Sequence, residues 1–244
     1  MSVVIQIDEL EINDEDLFPM LAQYKMLPQL AKEIIIERAI ADMECTPEEA
    51  TIARQRFYQQ YQIAGEPQLK AWLKYHGMTP EQLNNLIVRD TKLEKFKQVT
   101  WRERVESHFL QNKRQLDRIV YSLIRSKDAG VAQELYFRIQ EGETLFADLA
   151  RQYSEGTEAE TGGLIGPVEL NVPHPQIAQM LSTTQPGKIL PPTRVGDWWV
   201  VLRLEKYLSA QLDEPMRQRL LNELFQTWLN EHFQKNVTFK SIIC

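Results

Sequence analysis

Phe146-Ala147-Asp148-Leu149-Ala150-Arg151-Gln152-Tyr153-Ser154, followed closely by Thr161-Gly162-Gly163-Leu164-Ile165-Gly166-Pro167, is the stretch on which the fold turns. A helical pattern over 144–153 gives way to a glycine-rich segment. Upstream, a second helical pattern covers 128–141, and before it Ile119, Tyr121 and Leu123 alternate as in a half-buried strand. Downstream, Ile177, Met180 and Leu181 mark a short helix beginning at Pro175. Pro186-Gly187 reads as a turn, Pro191-Pro192 as an edge or loop, and Gly196-Asp197 as a hairpin-type turn. Trp198-Trp199-Val200-Val201-Leu202-Arg203-Leu204 is the strongest strand signal in the chain, and alternation sets the two tryptophans on opposite faces. Residues 117–208 therefore read as a small α/β unit.

Both flanks are helical. Asn13 is placed to cap a first helix with the acidic turn Asp14-Glu15-Asp16, and Ile34, Ile35, Ile36, Ala39, Ile40 and Met43 supply its apolar face. Thr46-Pro47-Glu48-Glu49 is a start signal with a capping threonine, a proline suited to the first helical position and a glutamate that closes a capping box. Thr79-Pro80-Glu81-Gln82 repeats it and opens a long helix to about Asn112, with a shorter helix around Leu69, Trp72 and Leu73 between the two. Met20, Tyr24, Met26 and Leu27 are candidates for an adaptable apolar cradle. After Ser209 a helix carrying Leu220, Leu221, Leu224, Phe225, Trp228 and Phe233 has an apolar face too wide for solvent, and the N-terminal helices are its natural partner. The expected fold is α+β and mostly helical. A discontinuous helical domain, 1–116 with the returning helix 209–244, carries an inserted antiparallel-sheet domain at 117–208.

Composition narrows the function. The chain has 244 residues, 43% hydrophobic and 25% charged, with a net charge of −6 and a pI near 5.4. An acidic balance gives no electrostatic support for nucleic acid, which requires a basic face against phosphates. The two cysteines, Cys45 and Cys244, lie far apart and indicate no disulfide framework, and four scattered histidines with no CxxC give no metal-site signature. No stretch approaches the ~20 apolar residues of a membrane helix. The first ten residues lack a basic region, and their apolar run is broken by Gln6 and Asp8, so the expected location is the cytoplasm.

The middle unit resembles the parvulin family of peptidyl-prolyl isomerases. Phe146 to Ser154 looks like the family's F-x-x-L-A-x-x-Y-S helix, Gly162-Gly163-x-x-Gly166 its glycine strand, Pro186-Gly187-Lys188-Ile189-x-x-Pro192 its P-G-x-I-S-x-P turn, and Val200 to Leu204 its last strand. The flanks resemble SurA- and PrsA-type chaperones in the order of their helices, including Lys70-Ala71-Trp72-Leu73 and the Thr79-Pro80-Glu81 start. The resemblance implies an FKBP-like sheet domain that catalyses prolyl isomerisation without cofactor or metal. Its polar centre departs from the family: Tyr121 and Trp199 stand where histidines are usual, Gly156 where cysteine or aspartate is common, and Leu164 where the glycine motif has aspartate.

Isomerisation breaks no covalent bond. Its barrier of about 18–20 kcal/mol is lost amide resonance, so a catalyst need only favour the twisted amide over the planar one. The twisted amide carries less charge separation, which a dry pocket favours. The resemblance points to Tyr121, Ser154 and Trp199 as candidate catalytic donors, and to Ile177, Met180 and Trp199 as the substrate-binding surface. With the histidines replaced, the expectation is weak or absent catalysis with retained binding of extended proline-containing or apolar segments. The alternative is a non-catalytic SurA-like holdase or adaptor delivering unfolded peptides to secretion or processing machinery. The expected partners are unfolded or extended polypeptides, with neither nucleic acid nor membrane insertion.

Overall fold

The computed structural model describes residues 3–239, so Cys244 lies outside the described residues. The chain begins with an antiparallel hairpin, β1 (Val3–Ile7) and β2 (Leu10–Asn13), turning at Asp8, whose φ is +53°. Ile5, Gln6 and Ile7 alternate with a period of two, so the Gln6 and Asp8 that break an apolar run belong to a strand and its turn.

The single first helix expected from Asn13 onward is two helices, α1 (Asp14–Gln23) and α2 (Leu27–Ile40). Two local causes separate them. Lys25 adopts a left-handed backbone with φ of +60°, and Pro28 in the first turn of α2 has no N–H to continue a helix from upstream. Next come α3 (Pro47–Gln60), α4 (Glu66–His76) and α5 (Pro80–Leu116), the last running beyond Asn112. Both threonine start signals close as capping boxes. The N–H of Glu49 donates to Thr46 Oγ1 at 3.3 Å and the N–H of Thr46 to Glu49 Oε2 at 2.8 Å, and Thr79 and Gln82 repeat the exchange at 3.2 and 2.8 Å. Gly77, at φ +61°, ends α4.

The inserted region contains β3 (Arg118–Ser126), α6 (Ala129–Gln140), α7 (Phe146–Tyr153), β4 (Leu164–Glu169), α8 (Pro175–Ser182), β5 (Ile189–Val195) and β6 (Trp198–Leu208). The four strands are antiparallel in the order β4-β3-β6-β5. Pro191-Pro192 falls inside the edge strand β5, where the register slips between Leu190 and Thr193 and two missing N–H groups are tolerated. Each sheet face has its own core. Ile119, Tyr121, Leu123, Leu202 and Leu204 pack with Ile177 and Leu181 of α8 on one side. Ile124 and Val201 pack with Leu135 of α6 and with Phe146, Leu149 and Ala150 of α7 on the other.

The final helix is α9 (Glu214–Asn236). The chain divides into two compact units, residues to Val105 with those from Arg217, and Glu106–Met216, so the dividing points fall within α5 and α9. Within the first unit α9 buries Leu220, Leu221, Phe225 and Leu229. Trp228 lies 5.3 Å from the ring of Phe96 and 6.0 Å from that of Trp101. Lys97, nearly buried there, donates to Glu94 and Asn222. Among the described residues no helix is long and apolar enough to cross a membrane.

Candidate functional site

On β3, side chains alternate so that Tyr121 joins the core under α8, opposite Leu204 of β6 and Ile165 of β4. Ile177 and Met180 belong to the same cluster. Tyr121 and Ile177 are buried, whereas Met180 is only partly covered and gives the cluster an accessible rim. Three of the expected residues are thus brought together.

Trp199 is not with them. It packs on the other face of the sheet, with Val201 and the cores of α6 and α7, because it is one residue out of phase with Val200 and Leu202. Its neighbour Trp198, partly buried, packs on the same cluster as Tyr121 and Met180, six residues along β6 from Leu204, the partner of Tyr121.

Ser154 has a positioning role. Its Oγ accepts the N–H of Arg125 at 3.1 Å and donates to Glu158 Oε1 at 2.6 Å. Glu158, in the short 3-10 turn Thr157–Thr161, is only 5% exposed and receives a two-pronged ion pair from Arg125, Nε at 2.9 Å and Nη2 at 2.6 Å. Burial alone raises the Glu158 pKa, but the hydrogen bonds from Arg125 and Ser154 outweigh it and hold the carboxyl below its ordinary range. The Arg125 guanidinium lies 5.6 Å from the centre of the Trp198 ring and Lys127 Nζ 5.4 Å from it, both in cation–π range. Tyr121 senses the same pair. Its pKa is raised by burial first and by the charge of Glu158 second, against a smaller opposing effect of Arg125. The hydroxyl therefore stays protonated, a permanent donor at physiological pH.

Sequence reading missed Arg125 and Glu158, yet Gly156 signalled the first of them. A Cβ built at Gly156 would sit 2.0 Å from Arg125 Nε and 2.3 Å from its Cζ. The missing side chain leaves the room that the guanidinium occupies. Gly163 is required for a different reason. It has φ of +82°, its carbonyl accepts the N–H of Leu123 at 2.9 Å, and a Cβ there would lie 2.7 Å from the Leu123 oxygen.

Residues 125–206 match the rotamase family described as the PPIC-type PPIASE domain. This segment is a parvulin-type rotamase domain. The parvulin-bearing chain is 33% identical over 122 residues to Chaperone SurA of Shewanella sp. strain MR-7, covering 45% of this chain and 28% of that protein. It is 32% identical over 111 residues to Chaperone SurA of Pseudomonas savastanoi pv. phaseolicola, covering 41% and 26%. The chain thus matches under a third of the length of these curated relatives. Among solved structures, the peptidylprolyl isomerase PrsA from Bacillus cereus superposes with a TM-score of 0.50 at 18% identity, covering 99% of this chain and 94% of that one, which is a likeness of fold.

Proposed function

We propose that this chain is a parvulin-type peptidyl-prolyl isomerase and chaperone that assists folding by binding extended proline-containing or apolar segments, with slow catalysis. One observation carries this reading: Met180 and Trp198 are partly exposed at the rim of the apolar cluster that buries the protonated Tyr121, and the Arg125–Glu158 pair lies against Trp198. A proline ring on that rim leaves water, which favours the less polar twisted amide. Tyr121 supplies a neutral donor. Arg125 is neutralised by Glu158, so it places no strong net charge against the amide.

A protease-free isomerase assay on a set of Xaa-Pro peptides tests the reading. The expected result is measurable catalysis that falls about tenfold or more, each tenfold being about 1.4 kcal/mol, in both Tyr121→Phe and Trp198→Ala. Trp199→Ala, on the opposite face, lowers stability without that selective loss. No catalysis above background in the parent chain rejects the isomerase and leaves the second reading, a non-catalytic holdase or adaptor delivering unfolded peptides to secretion or processing machinery. The replaced polar centre favours that reading specifically. It predicts suppression of aggregation of an unfolded client with no acceleration of prolyl exchange.

A further inference from the structure

The excess negative charge of this chain is confined to one end. Of its 34 Asp and Glu residues, Asp8, Glu9, Glu11, Asp14, Glu15 and Asp16 lie within residues 1–24, where there is no Lys or Arg. The rest of the chain holds 28 acids against 28 bases, so the net −6 belongs entirely to this segment. The same segment builds the β1–β2 hairpin. Ile5 pairs with Ile12 and Ile7 with Leu10, and directly opposed residues share a face, so all four apolar side chains lie on one side of the hairpin. Gln6 and Glu11 oppose each other on the other side. Ile12 is buried, but Ile5, Ile7 and Leu10 are 44%, 56% and 61% exposed.

Such a hairpin is incomplete on physical grounds. Two strands alone are marginal in water and gain stability from a third strand or an apolar cover. Among the described residues β1 pairs only with β2, so its other edge is open to a further strand. We propose that this face and the β1 edge dock a basic, apolar, extended segment of another polypeptide, which adds beside β1 as a third strand. Edge pairing supplies affinity through the backbone, and alternate apolar side chains of the partner cover Ile5 and Ile7. Lysines or arginines at the intervening positions meet the acidic segment. A second copy of this chain is disfavoured as the occupant because it brings six acids against six. The surface belongs to different residues from those of the proline cleft and needs no isomerase activity.

The test uses the full chain and fluorescent, proline-free peptides that alternate valine or isoleucine with lysine, compared with the same peptides carrying glutamate. Fluorescence anisotropy should show the lysine peptide binding at least about tenfold tighter than the glutamate peptide, with the difference shrinking when salt is raised to about 0.5 M. Ile7→Ser and the double variant Glu9→Lys with Glu11→Lys should each weaken the lysine peptide about tenfold or more, and because all three residues are exposed, both variants should retain the parent's circular dichroism. Equal binding of the two peptides, or parent-like binding by both variants, overturns the proposal. Sedimentation showing a dimer that Ile7→Ser dissociates would also overturn it, giving the face to a second copy.

Discussion

Gly156 shows how one absent side chain sets the chemistry of this site. The parvulin resemblance places cysteine or aspartate there, but the Arg125 guanidinium occupies the volume such a residue would fill. With Glu158 buried and Arg125 about one-third exposed, the pair is partly screened by solvent. Breaking it by Glu158→Ala is expected to cost about 2 kcal/mol, below the range for a fully buried pair. Gly156→Ala should cost a similar amount by displacing the guanidinium. Combined with Arg125→Ala it should add little further loss, a non-additivity that a double-mutant cycle in urea measures directly. The pH dependence has a defined sign. The Glu158 pKa is lower in the folded protein than in the unfolded chain, so its contribution is complete above the unfolded carboxyl value of about 4.3 and is lost as pH falls through the folded value. Acid unfolding of Glu158→Gln should therefore be shallower than that of the parent below about pH 5.

At the level of elements, local chemistry that writes itself into neighbouring residues was legible, and chemistry that depends on the partner strand was not. Thr46 and Thr79 announced their helices because a cap needs only four consecutive residues, and the hydrogen bonds form as that spacing requires. The strands β3 and β6 were readable from alternation. The split between α1 and α2 was not, because the backbone of Lys25 is left-handed with no glycine or asparagine to advertise it. Trp198 and Trp199 were correctly set on opposite faces, but which of them shares the face of Tyr121 depends on register against β3, where a bulge lies between Val120 and Tyr121. Arg125 and Glu158 are 33 residues apart, and nothing local joins them. The Lys25 backbone yields its own test. A residue with a Cβ is strained in the left-handed region and glycine is not, so Lys25→Gly should raise stability by up to about 1 kcal/mol, read as a higher urea midpoint with an unchanged slope.

For the molecule as a whole, Asp117 ties together the two ends of the compact unit that interrupts the helical domain. It stands where α5 passes into β3 and is 5% exposed. One carboxylate oxygen accepts from the Tyr207 hydroxyl, the other from the N–H of Ala210 at 2.7 Å and from Lys113 Nζ at 3.2 Å. Lys113 also donates to Ser209 at 2.6 Å, and Arg118 pairs with Leu208 in the sheet. The segments by which the chain enters and leaves this unit are therefore clasped to each other. Burial opposes the Asp117 charge, but the hydrogen bonds from Tyr207, Ala210 and Lys113 prevail and its pKa falls, while that of Tyr207 rises to about 12 through burial and the bond to Asp117. The Asp117 contribution is lost as pH falls through its lowered folded value. That of Tyr207 is complete below the ordinary tyrosine value of about 10 and is lost as pH rises toward the folded value. A fragment spanning Glu106–Met216 should thus unfold in a single cooperative transition in urea. Asp117→Ala, which leaves several donors without their acceptor, should lower its stability by about 3 kcal/mol. Tyr207→Phe, at a site over one-third exposed, should cost only about 1 kcal/mol and should remove the alkaline part of the pH profile. If the fragment melts gradually with the parent sequence, the clasp is insufficient and the unit's order depends on the helices that flank it.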